Sequence, residues 1–97
     1  MIETNEKQKR LYFLYRAFST IEKYEDFNCF IQDLLTPNEI HIICERLEVA
    51  RLLNEKFGSY KAISEHSGAS LVTVTRVARF LKYENNSGYK NILTKIQ

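Results

Sequence analysis

Little in this sequence breaks a helix. Its 97 residues include one proline, Pro37, and three glycines, Gly58, Gly68 and Gly88. Clustered β-branched runs of the kind that build sheets are outnumbered by Leu, Glu, Lys, Arg and Ala. These scarcities argue against a turn-rich sheet protein and predict an all-α domain. No repeat, low-complexity tract or linker interrupts the chain, which reads as a single domain over residues 1–97. A helical chain of that length has one modest core and is only marginally buried alone, so a partner subunit would help it.

Other absences narrow the function. The N-terminal stretch "MIETNEKQKR" is charged and has no uninterrupted apolar run, which predicts neither a signal peptide nor a membrane span, no membrane partner, and a place in the cytoplasm. The two cysteines, Cys29 and Cys44, lack a CxxC partner or a nearby histidine pair. Both sit among apolar residues, so they are expected to be buried free thiols rather than a disulfide or metal ligands. There is no GxSxG, Walker-type loop or paired-carboxylate arrangement, and His41 and His66 stand alone. His41 reads as a helix-surface residue and His66 as a cation at a helix end. The chain is expected to be no enzyme and to need no metal or cofactor.

What is present is arranged unevenly. Residues 1–56 carry eight Lys and Arg against ten Asp and Glu, whereas residues 57–97 carry six against two. The basic excess suits a polyanion partner, although solvated helix faces also produce such asymmetry.

Apolar spacing predicts about six helices. The first spans about Glu6 to Tyr24, with Leu11, Leu14, Tyr15, Phe18 and Ile21 three and four apart; the second runs from about Tyr24 to Leu35. The third opens at Pro37 behind the cap Thr36, with Glu39 where a capping box needs it, and continues to about Phe57. Its apolar residues form two stripes, Ile40, Ile43, Cys44, Leu47, Ala50, Leu53 and Phe57 on one side and Ile42, Val49 and Leu52 on another. A helix apolar on two sides must be covered on two sides, which an intertwined dimer does economically. Gly58 is expected to end it in the left-handed conformation. Ser59 then caps a short helix to about His66, Ser70 caps another from Leu71 to about Tyr83, and "YKNILTKIQ" forms the last.

The stretch "YKAISEHSGASLVTVTRVAR" (residues 60–79) places Gly68 between two helices. It is either a plain corner between core helices or a helix-turn-helix over about 59–82 whose second helix is offered to DNA. In the second case Ile63, Val74 and Val77 face inward, and Ala62 and Ala69 allow close approach. Ser70, Leu71, Val72, Thr73, Thr75, Arg76 and Arg79 are left on the remaining surface. Leu71 and Val72 would meet thymine methyls and Thr75 base edges or phosphate. Arg76, Arg79 and Lys82, with Tyr60 and Lys61, would reach phosphates. No acidic residue lies between Glu65 and Glu84 to repel them. Leu71 and Val72 tilt the balance toward DNA, because core spacing does not call for apolar side chains there.

Taken together, "LTPNE", Arg46 in the helix that follows, and "SGASLVTVTR" resemble the Trp repressor family, without a gap from Leu35 to Lys82. "TPNE", "RLEVARLL" and "GYK" are similar to its uncharacterised YerC/YecD branch. The resemblance implies an intertwined all-helical homodimer, with dimerisation helices at about 6–57 and 85–96, that binds a palindromic double-stranded DNA operator and regulates transcription, as a repressor. It implies DNA contacts at Leu71, Val72 and Thr75, supported by Tyr60, Lys61 and Ser64. Tyr60 replaces an amide and Ser64 a basic side chain, so sequence preference is expected to differ.

The resemblance also implies a tryptophan pocket between two arginines, whose counterparts are Arg46 and Arg76. That pocket needs small residues after the second arginine, where this chain has Val77 and Phe80. Extra bulk in a packed site costs about 1–3 kcal/mol, so the pocket is expected to be filled and tryptophan excluded. Arg46 and Arg76 would then serve phosphate or an acidic neighbour such as Glu39 or Glu45, and any effector is left unknown. The rival reading is a helical protein-interaction module that keeps the turn as architecture only.

Overall fold

The computed structural model describes residues 5–96, and every regular element among them is a helix. In chain order these are α1 (Glu6–Ser19), α2 (Tyr24–Leu34), α3 (Pro37–Asn54), α4 (Tyr60–Ser67), α5 (Leu71–Lys82) and α6 (Gly88–Lys95). The all-α, six-helix expectation holds. The first four residues of "MIETNEKQKR" and Gln97 lie outside the described residues.

Two helix ends differ from expectation, each for a local reason. Helix α1 stops at Ser19 rather than near Tyr24. Ser19 Oγ donates to the Arg16 carbonyl at 2.9 Å and Thr20 Oγ1 to that of Ala17 at 2.8 Å. Hydroxyls that bond their own backbone compete with helix propagation. Helix α3 ends at Asn54, and its left-handed residue is Lys56 (φ 56°), not Gly58. The Lys56 N–H donates to the Leu53 carbonyl at 3.1 Å and the Phe57 N–H to that of Leu52 at 3.0 Å, the paired bonds of a Schellman cap. Gly58 does a different job: a Cβ there would lie 3.3 Å from the Ala62 Cβ, so the missing side chain lets the chain pass close to α4.

By its internal contacts the chain forms two compact units, residues 1–36 and 37–97. In the first, the Phe18 ring packs against Phe27 at 5.9 Å and edge-on against Phe30 at 5.7 Å. Neither α1 nor α2 contains a buried residue. Leu11, Tyr12, Phe13, Tyr15 and Tyr24 are exposed.

The second unit holds the core. Val49, Ala50, Leu52 and Leu53 of α3 meet Ile63 of α4, Val74, Val77, Ala78 and Leu81 of α5, and Leu93 of α6. The four α5 residues recur at the spacing that aligns one helix face, and each fully buried large aliphatic contributes about 1.5–3 kcal/mol. Helix α3 is divided along its length: its C-terminal half builds this core, while Ile43 and Leu47 nearer its start stay exposed. Cys29 and Cys44 are likewise exposed free thiols, contrary to the expected burial. Cys29 sits on a helix that buries nothing, and Cys44 lies in the uncovered half of α3.

On the α3 surface Arg51 bridges Glu48 at 2.7 Å and Glu55 at 3.0 Å. Hydrogen bonding by Arg51 holds the Glu48 carboxyl below its usual range, partly offset by burial, with the charges of Arg51 and His66 adding to the lowering. Because the folded state holds that proton less tightly, this support is present above the ordinary carboxylate range and fades as pH falls through it.

Candidate nucleic-acid interface

Helix α4 starts where Ser59 Oγ accepts from the Ala62 N–H at 3.1 Å. It ends at Gly68, whose φ of 82° is left-handed and whose N–H donates to the Ser64 carbonyl. An added Cβ at Gly68 would meet nothing nearer than Glu45 Oε2 at 3.9 Å, so the backbone angle, not space, requires glycine. Ser64 Oγ donates to the Ala69 carbonyl at 2.6 Å, and Ser67 Oγ accepts from the Ala69 N–H at 3.1 Å. One residue later Ser70 Oγ accepts from the Thr73 N–H at 3.1 Å and opens α5. These bonds tie the corner to its own backbone and help to set the angle between α4 and α5.

That geometry turns α5 into a helix with two unlike sides. Val74, Val77, Ala78 and Leu81 are sealed in the core. On the outer side, Leu71 keeps 52% and Val72 77% of their surface exposed. Thr75, Arg76 and Arg79 are exposed beside them and line one shallow cleft with Phe80 and Glu84. Ser70 and Lys61 are exposed as well. Two of the sequence-selected residues also have a task within the fold. The half-buried Ser64 holds the turn, and the half-buried Tyr60 packs against the core with the Lys82 ammonium 5.3 Å from its ring centroid. That cation–π contact joins the start of α4 to the end of α5.

Sequence reading missed Glu84 except as the border of the acid-free stretch. Its Oε1 lies 3.3 Å from Arg79 Nε. A five-residue separation that runs past a helix end matches no helical spacing, so only the chain's path could reveal it.

Arg46, Arg76, Val77 and Phe80 do line one cleft, together with Leu47, Asn86, Gly88, Tyr89 and Ile92. The cleft is open to solvent on one side and has a volume of about 550 Å³. Val77 is turned into the core at 1% exposure and contributes only the wall, while Phe80 is left 37% exposed at the side. Nor do the arginines find an acidic neighbour. No ion pair of Arg46 or Arg76 occurs among the described residues, and Glu45 pairs instead with His41 at 3.1 Å. His41 is on the surface as expected, and His66 stacks on Phe57 with ring centroids 4.7 Å apart. Among the described residues no group of His, Cys, Asp or Glu is placed to hold a metal, and no helix is long and apolar enough to cross a membrane.

A left-handed glycine corner between two capped helices, with the second half-sealed and half-offered, defines an all-helical protein of the helix-turn-helix class. The Trp repressor protein family model matches residues 9–97, and the chain belongs to that family, one of regulatory DNA-binding folds rather than catalysts. The uncharacterised protein YerC of Bacillus subtilis (strain 168) is 37% identical over 89 residues, covering 92% of this chain and 84% of its own. A crystal structure of a candidate Trp repressor from Staphylococcus aureus superposes with a TM-score of 0.82 at 34% identity, covering 96% of this chain and 95% of the other. A TrpR-like protein from Eubacterium eligens gives 0.80 at 30% identity, covering 96% and 91%.

Proposed function

We propose that this chain is a sequence-specific DNA-binding transcriptional repressor that works in the cytoplasm as a homodimer and reads a palindromic operator with the outer side of α5. The observation that carries this reading is the exposure of Leu71 and Val72 at the first turn of a capped helix whose opposite side is sealed. Side chains that give nothing to the core, beside Thr75, Arg76 and Arg79 and with no acid between Glu65 and Glu84, suit a groove lined by phosphates. Lys61, Arg76, Arg79 and Ser70 are placed at the surface to position the backbone, and Thr75 to read bases. Ser64 and Tyr60 act as supports of the turn.

Dimerisation is supported by α1 and α2, which bury no residue within the chain, and by the uncovered apolar half of α3. Surfaces of that kind on a soluble helix are the usual mark of a partner. Two copies would meet half-sites about one helical turn, roughly 34 Å, apart. Independence from tryptophan is supported by the corner itself. Its serine bonds and the α5 core hold the reading helix through contacts made within the chain.

The test is a duplex titration at two salt concentrations, with and without tryptophan. Affinity should fall steeply as salt rises, because bound phosphates release counterions, and tryptophan should leave it unchanged. Thr75→Ala should alter sequence preference, by about 1–3 kcal/mol at the base it reads. Lys61→Ala should weaken all duplexes alike and flatten the salt slope by about one. Equal effects from both variants would remove the assigned roles. A chain that sediments as a monomer and ignores duplex at either salt concentration would be an architectural relative or a protein-interaction module, not a repressor.

A further inference from the structure

Glu84 closes the acid-free stretch at a particular place. Helix α5 ends at Lys82, and the chain folds back so that the Glu84 N–H donates to the Arg79 carbonyl at 3.1 Å. Its carboxylate then reaches Arg79 Nε at 3.3 Å. The acid is thus tied to both the backbone and the side chain of one residue. It also lines the cleft that Leu71, Val72, Thr75, Arg76 and Arg79 share. The two side chains keep 72% (Arg79) and 42% (Glu84) of their surface in solvent, so the pair lies open on the face offered to a duplex.

We infer that Glu84 is an internal stand-in for a DNA phosphate, pairing with Arg79 in the free protein and giving way when a backbone phosphate takes that guanidinium. The inference rests on the DNA-reading role of α5 and adds a restraint to it. Exposed pairs are weak enough to open readily, so the exchange is reversible. It carries a cost on every duplex, because the pair must open and the released carboxylate, neutralised by Arg79 in the free protein, gathers a cation from solution. That uptake cancels part of the counterion release that drives binding. An acid in this position therefore lowers affinity for DNA of any sequence and softens its dependence on salt.

The test compares the full-length protein with Glu84→Gln, Arg79→Ala and the double variant on one random and one selected duplex, from about 50 to 200 mM salt. Glu84→Gln should bind both duplexes about 2- to 5-fold more tightly at the low end, with a salt slope steeper by up to about one. In the Arg79→Ala background the same change should bring little gain, since the partner is gone. Helical circular dichroism should be unchanged, as the pair is at the surface. Equal affinities of the parent protein and Glu84→Gln would overturn the inference while leaving DNA binding standing. A full gain without Arg79 would overturn it too, because plain loss of negative charge would then suffice. Absence of binding by every variant would remove the DNA-reading role and this restraint with it.

Discussion

Val74→Asp is expected to unfold residues 37–97. Val74 is fully buried, and it packs in the cluster formed by α3, α4, α5 and α6. Among the described residues no polar side chain is buried to receive a carboxylate. An unpaired charge in such a site costs several kcal/mol even after the surroundings relax, in addition to the lost valine packing. That is comparable with the whole stability margin of about 5–15 kcal/mol of a small domain. Thermal melting followed by far-UV circular dichroism should show either no cooperative transition at 25 °C or a midpoint lowered by more than about 15 °C. A variant that melts like its parent would mean that α5 does not pack as described.

Val72→Asp, two residues earlier on the same helix, should do the reverse. With 77% of its surface exposed, Val72 contributes little to folding, and exposed substitutions of this sort stay within about 0.5 kcal/mol. An acid in the first turn of a helix is, if anything, favoured by the helix dipole. DNA binding should nonetheless fall about 100-fold. A carboxylate about 6 Å from a phosphate, at an effective dielectric constant near 20, is opposed by roughly 3 kcal/mol. The apolar contact to a base edge is lost as well. Unaltered melting together with weakened binding in a fluorescence-anisotropy titration is the expected pair of results. Unaltered binding would take the leading turn of α5 out of the DNA interface. The two valines therefore separate folding from reading within one helical turn.

The six helices were legible because their signals are local. Capping serines at Ser59 and Ser70 accept the hydrogen bonds that their positions implied, and Gly68 takes the left-handed angle expected of a turn. The face of α5 that would be sealed was also readable from residue spacing. The end of α3 was not. Lys56 takes the angle expected of Gly58, because the Schellman bonds to Leu53 and Leu52 form at that register and outweigh the modest strain of a left-handed lysine. Apolar surroundings along the chain suggested buried cysteines, yet a neighbour in sequence is not a cover in space, and both thiols are exposed.

By itself, then, the sequence determined the helices, the serine caps of α4 and α5, the glycine corner and the membership of the family. These depend on hydrogen bonds and side-chain periodicity within a few residues, where chemistry and spacing are read directly. Only the tertiary structure decided that Ser64 and Tyr60 brace the corner, that Arg46, Arg76 and Phe80 line one cleft, and that Glu84 sits on Arg79. Each of those depends on where the chain returns after a turn, and on which way a side chain is drawn by the core it meets. Val77 shows the difference: its bulk is plain in the sequence, but the core of α3, α4 and α5 takes that bulk and leaves the cleft to its own walls.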